Sequence, residues 1–324
     1  MILQILALCI LCLTLIYGTN LIILSIKTIA RQSGLAAYGI TAFILAISTS
    51  LPELVVSLVA SIEGNTSLVL GNIIGSNIAD ISLVMGGAAI LGTSLKISDI
   101  ILTRDIYLTA AAGFLPLFLI ADNTLSQADG VVLLVIYFIM IATFLRTHHK
   151  SVATQALSTS PIKRLFFVVT KGNGNHGIFK FLLGVAILLF SSHFIVQFAT
   201  ALAISTGLST LFIGLFIVSV GTSLPELAFE IKAIALRQTK MAFGNILGSV
   251  VANSTLILGI SAMIRPMTLT HRGLVPYGMA IAAFTIIYFA FIYFIRTKKR
   301  LDWWEGLVLI VIYVIFIVIE LGNN

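Results

Sequence analysis

The chain has 324 residues, of which 59% are hydrophobic and only 10% charged, and its mean hydropathy is +1.12. Soluble domains carry about a quarter charged residues, so a water-soluble enzyme, a nucleic-acid-binding domain and a disordered scaffold are excluded and a polytopic membrane protein is implied. The net charge of +7 then reads as basic loops on the cytoplasmic side, not as a polyanion partner.

A helix needs about 20 apolar residues to span a bilayer. The first apolar run, 2–30, holds Cys9 and Cys12 with no histidine or second cysteine pair nearby. These read as small apolar side chains, since a metal or redox site needs more ligands. The run lacks a basic leader and is too long for a cleavable signal, so it is a spanning helix. Further spans are predicted at 35–62, 67–92, 104–121, 128–145, 177–205, 209–236, 241–264, 274–295 and 303–320. Short connections, as between Ile62 and Ser67, force antiparallel neighbours. The longest connection is basic and contains the Gly-Asn-Gly-Asn stretch 172–175. It reads as a cytoplasmic linker (147–176) between two five-helix halves, 1–146 and 177–324. With the N-terminus outside, this alternation places all but Arg265 and Arg272 of the 19 Lys and Arg on the inner side. Both termini are then expected outside a plasma membrane.

The two halves are related in sequence. Residues 48–54 read STSLPEL and 221–227 read GTSLPEL, while 71–80 read GNIIGSNIAD and 244–253 read GNILGSVVAN. One offset, 173 residues, relates both pairs and also carries 104–121 onto 277–294 and 128–145 onto 301–318. An odd number of helices per half makes the second copy enter from the opposite side. The expected fold is therefore all-α, with ten transmembrane helices in two inverted-topology repeats, a construction common among secondary transporters.

Polar residues cluster in the second and third helices of each half. The first half has Ser48, Thr49, Ser50 and Glu53 around Pro52, then Asn72, Ser76, Asn77 and Asp80. The second has Thr222, Ser223 and Glu226 around Pro225, then Asn245, Ser249 and Asn253. Proline removes a backbone donor, so breaks are expected in helices 2 and 7, and the glycines suggest breaks or close approach in 3 and 8. Unpaired, Glu53, Asp80 and Glu226 would together cost roughly 8–10 kcal/mol at mid-membrane. No Lys or Arg lies at matching depth, so protons or a cation from water must partner them. Hard cations take about 6–8 oxygens from carboxylates, carbonyls and amides, and this set supplies them. A single Ser or Thr would ordinarily bond back to its own helix; the duplicated constellation points instead to a cation site.

At these residues the chain resembles the Ca²⁺/cation antiporter superfamily, in particular its prokaryotic Na⁺/Ca²⁺ exchanger-like members. Their repeats carry G-T-S-x-P-E and then G-N-x-x-G-S-N-x-x-[ND] in each half, whereas proton-coupled relatives carry G-N-x-x-E. The resemblance implies that Glu53 and Glu226 bridge Ca²⁺ with the carbonyls of Thr49 and Thr222. Na⁺ would use the same oxygens with Ser50, Ser76, Ser223, Ser249 and the carbonyls of Ala46 and Ser219. Asp80 and Asn253 would flank the centre, Asn77 would be accessory, and helices 2–30 and 177–205 would be the sliding gate. It further implies a functional monomer in the lipid bilayer, with Ca²⁺ and Na⁺ as bound, transported ions, no resident cofactor and no catalytic chemistry. Ser48 replaces a glycine of the pattern, Val250 an asparagine, and Asp80 and Asn253 are exchanged relative to close relatives.

Two further polar residues lie in apolar runs. Glu230, one turn beyond Glu226 where the first half has Ser57, is expected to snorkel towards the cytoplasm beside Lys232, the alternative being an accessory vestibule or proton-linked residue. His193 is expected to be a hydrogen-bonded packing residue of the gating helix, the alternative being an accessory proton carrier. The function implied is Na⁺/Ca²⁺ antiport, with competition for shared oxygens coupling the two ions. The alternatives are H⁺- or K⁺-coupled exchange, a cation channel, and a membrane-embedded hydrolase using Asp80 with Glu53 or Glu226. No P-loop pattern supports a primary pump.

Overall fold

The computed structural model describes residues 2–32, 49–96, 100–148, 175–269 and 271–323. The start of the span expected at 35–62, with Ala46 and Ser48, and most of the linker 147–176 lie outside the described residues. In chain order the helices are α1 (Ile2–Gln32), α2 (Leu51–Ile62), α3 (Thr66–Gly92), α4 (Ile100–Leu119) and α5 (Gln127–His148). They continue as α6 (Asn175–Thr206), α7 (Thr210–Ala235), α8 (Thr239–Ile264), α9 (His271–Lys298) and α10 (Trp303–Asn323). Among the described residues, eight of these helices are long and apolar enough to cross a membrane, with shorter apolar helices at α2 and in α5. Leu13, Tyr17, Phe179, Phe190, Phe289 and Val314 are exposed on the outside. Such a surface is unstable in water and suited to lipid.

α3 is the central helix, buried around its circumference from Leu68 to Ala79. Gly71 and Gly75 let it lie directly on α7: a methyl group at either would collide with the carbonyls of Leu211 and Leu215, respectively. These glycines therefore serve close approach and do not break α3. The expected interruptions are found next to the prolines instead. α2 begins after Ser50 (φ −82°, ψ 9°), and α7 leaves helical geometry at Ser223 (φ −82°, ψ 3°) before resuming over Leu224–Ala235. Pro52 and Pro225 sit in the first turn that follows, where a missing N–H is tolerated.

The breaks expected in helices 3 and 8 are corrected by the structure. Both helices run through, each with a π-helical segment, Asp80–Val84 in α3 and Ala252–Ile257 in α8. A third π-helical segment, Gly214–Val218, lies in α7. A π-turn inserts one residue and re-aims the side chains after it while keeping every backbone group bonded, which an open break in lipid would not. Asp80 opens the first of these segments, and Asn253 lies at the start of its counterpart.

Two short antiparallel clasps tie the ends together. Ser94–Lys96 (β1) pairs with Arg300–Asp302 (β4), and Thr124–Leu125 (β2) pairs with Met267–Thr268 (β3). The helix contacts beside them are reciprocal. A methyl at Gly86 of α3 would lie 2.7 Å from the Gly306 carbonyl of α10, and one at Gly130 of α5 would lie 2.7 Å from the Gly259 carbonyl of α8. Gly130 is thus matched by Gly306 and not by Trp303, so the repeat offset widens by three residues before the last helix. The expected match of 128–145 to 301–318 shifts accordingly, because α9 continues to Lys298 where α4 ends at Leu119. α1 and α6 pack chiefly on each other and cross where a methyl at Gly184 would lie 2.8 Å from the Gly18 carbonyl.

Candidate cation-binding site

The interruptions in α2 and α7 and the middles of α3 and α8 meet at the centre of the molecule. Thr49, Ser50 and Glu53 enter from the start of α2, and Thr222, Ser223 and Glu226 from the bend in α7. Asn72, Ser76, Asn77 and Asp80 come from α3, and Asn245, Ser249 and Asn253 from α8. All are buried, with Glu53, Asp80 and Glu226 each 1% exposed.

Most of their hydrogen bonds cross between the halves. The Thr49 hydroxyl donates to Asn245 Oδ1 at 3.1 Å, and the Thr222 hydroxyl to Asn72 Oδ1 at 3.2 Å. Ser50 donates to the Ser249 hydroxyl at 3.1 Å, and Ser76 lies 3.4 Å from the Thr222 hydroxyl. Ser223 donates to Glu53 Oε1 at 3.4 Å and Ser249 to Glu226 Oε1 at 3.5 Å, both at the long end for a hydrogen bond. Asn77 is anchored separately, its amide donating to Ser254 at 2.7 Å.

What these bonds leave over is chemically uniform. Glu53 Oε2, Asp80 Oδ1, Glu226 Oε2, Asn77 Oδ1 and Asn253 Oδ1 are buried without a hydrogen-bond partner, and every one is an acceptor oxygen. Buried acceptors without donors are costly; a hard cation satisfies such a group of oxygens. Among the described residues, no three His, Cys, Asp or Glu side chains converge closely enough to hold a metal ion alone. A cation here would have to take part of its shell from hydroxyl, amide or main-chain oxygens.

Of the remaining expected residues that the structure describes, only Glu230 is placed differently from expectation. The Ser219 carbonyl accepts the Ser223 N–H at 2.9 Å and lies 3.1 Å from the Thr222 hydroxyl. Ala46 lies outside the described residues. Glu230 does not snorkel: it is 0% exposed, because it faces α8 and accepts the Asn245 amide at 3.2 Å, while Lys232 is exposed. His193 is not part of the cluster. Its side chain is 46% exposed on α6, with Nδ1 2.6 Å from Glu63 and Nε2 3.0 Å from Gln197.

The amides of Asn72 and Asn245, which relay each threonine to the next residue, stand outside the ligand set drawn from the sequence. Their signal is the asparagine repeated in both G-N motifs.

The sequence model of the family described as Sodium/calcium exchanger protein matches residues 3–146 and 176–322. Sodium/calcium exchanger MaX1 of Methanosarcina acetivorans is 28% identical over 339 aligned positions, covering 94% of this chain and 95% of MaX1. Inner membrane protein YrbG of Escherichia coli is 30% identical over 256 positions, covering 78% and 77% of the two chains. A solved structure of the sodium-calcium exchanger NCX_Mj, soaked with Na⁺ and Sr²⁺, superposes with a TM-score of 0.64 at 26% identity, over 98% of this chain and 99% of that one.

Proposed function

The chain belongs to the sodium/calcium exchanger family, and from that premise we propose that it exchanges Na⁺ for Ca²⁺ across the membrane by alternating access. The observation that carries this reading is the group of buried, donorless oxygens on Glu53, Asp80, Glu226, Asn77 and Asn253. An apolar protein gains nothing by burying three carboxylates unless a cation visits them, since each costs about 2.5–3.5 kcal/mol unpaired. Ca²⁺ engages Glu53 and Glu226 with oxygens of Thr49 and Thr222. Na⁺ uses the same carboxylates with Ser50, Ser76, Ser223 and Ser249, while Asp80 and Asn253 flank the centre. Sharing couples the ions, because one set of oxygens cannot serve both and the empty acidic set resists reorientation.

The proposed architecture is ten helices in two inverted halves, 1–146 and 177–324, joined by a cytoplasmic linker. The reciprocal glycine contacts and strand clasps support a two-fold relation between the halves, and the distribution of Lys and Arg supports both termini outside a plasma membrane. α1 and α6, which pack mainly on each other, form the moving pair. The exchanger acts as a monomer and performs no covalent chemistry. The test is Na⁺-gradient-driven ⁴⁵Ca²⁺ flux in proteoliposomes. Glu53→Gln and Glu226→Gln should each lower it by more than the roughly 100-fold that losing an outer partner costs a metal site. Undiminished exchange in either variant would falsify the site.

A further inference from the structure

Glu230 is a buried acid that the exchange site as drawn does not use. Its place in the fold is defined by symmetry: Ser57 stands at the matching position of the first half. There the Asn72 amide donates to the Ser57 hydroxyl at 3.2 Å, and Asn72 Oδ1 takes the Thr222 hydroxyl. In the second half the Asn245 amide donates to Glu230 Oε1 at 3.2 Å, and Asn245 Oδ1 takes the Thr49 hydroxyl. Orienting the asparagine needs one acceptor, and Ser57 shows that a neutral hydroxyl suffices. The carboxyl of Glu230 adds a second oxygen, Oε2, which is buried with no hydrogen-bond partner. Among the described residues no Lys, Arg or His forms an ion pair with it. A fully buried carboxyl without a basic partner holds a cation or a proton whenever it is stable in the membrane.

The charge of that partner follows from the surroundings. Glu230 offers one unclaimed oxygen and a single negative charge; its hydrogen-bond donor, Asn245, turns its N–H towards it, and the other charge that acts on it is the like-charged Asp80. A divalent ion needs several oxygens and more than one carboxylate; one monovalent positive charge neutralises this position. We propose that Glu230 is a cation-binding residue of the transport pathway, found in the second half only, which binds one monovalent cation that moves with each exchange cycle. The inference rests on the exchange reading above. Na⁺ and H⁺ share the required chemistry, and the experiment separates them.

The test is a balance point, which a merely structural defect does not move. Wild type, Glu230→Gln and Glu230→Ser are reconstituted with the membrane potential clamped at zero. The Ca²⁺ ratio at which net ⁴⁵Ca²⁺ flux vanishes is then read under an imposed Na⁺ gradient or an imposed pH step. Removing one cotransported Na⁺ lowers that ratio about tenfold for a tenfold Na⁺ gradient. If the cation is a proton, a unit pH step shifts the balance about tenfold in wild type and leaves the variants unmoved. Glu230→Ser installs the residue that the first half carries in the same setting. A balance point identical in wild type and both variants under both gradients overturns the proposal, as does loss of all flux in both variants, which marks a structural role. Wild-type protein without Na⁺-dependent Ca²⁺ flux defeats the exchange reading and this inference together, whereas wild-type exchange with an unmoved balance point defeats this inference alone.

Discussion

In the first half, the arm that runs from threonine through asparagine ends on the Ser57 hydroxyl; in the second it ends on the Glu230 carboxylate. The opposite asymmetry stands on the neighbouring helix, where Asp80 in α3 faces Asn253 as its repeat counterpart in α8. Around the central cluster each half therefore places two buried acids, Glu53 with Asp80 and Glu226 with Glu230, but the second acid sits on a different helix in each. Duplication supplied a matched backbone, and divergence redistributed the charge within it. The acids are thus unequally placed while the interlocking hydrogen bonds between the halves stay matched.

The exchange of Asp80 and Asn253 gives the sharpest way to break that comparison. Asp80→Asn should weaken apparent Ca²⁺ affinity by about 10–100-fold. The double variant Asp80→Asn with Asn253→Asp should recover most of the loss in ⁴⁵Ca²⁺ uptake, because the carboxylate returns to the equivalent position across the axis. No recovery would show that the halves are not interchangeable at this level. A smaller effect is expected from Gly71→Ala, whose methyl would run into the Leu211 carbonyl on α7. Overpacking of this kind costs about 1–3 kcal/mol, read as a lower thermal midpoint of the purified protein in detergent. An unchanged midpoint would mean that α3 and α7 separate easily.

Much of this site is legible in the sequence because lipid makes polar residues conspicuous. Glu53, Asp80, Glu226 and the motif hydroxyls stand out in apolar runs, and the common offset of 173 residues pairs them across the two halves. The prolines mark the interruptions after Ser50 and at Ser223, since a lost N–H has a local consequence. The burial of Glu230 is not legible, because sequence distance from a predicted helix end does not tell which way a side chain turns; only the packing of α7 on α8 buries it against Asn245. The π-turns are illegible for a related reason. They need no proline or glycine, only tertiary contacts that favour one extra residue in the turn. The three-residue shift before α10 is hidden because apolar helices resemble one another at neighbouring registers, so the small polar capping residues carry the true alignment.

Those caps provide the mildest test of the comparison. Ahead of α5, the Ser126 N–H and hydroxyl donate to Asp129 at 2.8 and 2.7 Å, and the Asp129 N–H donates back to the Ser126 hydroxyl at 3.2 Å. This is a reciprocal capping box. Ahead of α10, the Asp302 N–H donates to Glu305 at 2.8 Å, and Glu305, 1% exposed, also lies 3.7 Å from Lys298 Nζ. Both acids cap a helix start in register with Gly130 and Gly306, but only Glu305 is buried. Ser126→Ala should therefore cost about 0.5–1 kcal/mol and Glu305→Ala about 1–2 kcal/mol, within the range for lost caps. The larger loss arises because truncating Glu305 leaves the buried Asp302 N–H without its acceptor, while Lys298 keeps Asp302 at 3.5 Å. Thermal midpoints in detergent measure both. A Glu305→Ala variant no less stable than Ser126→Ala would show that the two caps are equivalent despite their different burial, and that the clasp between β1 and β4 holds α10 without help from its acid.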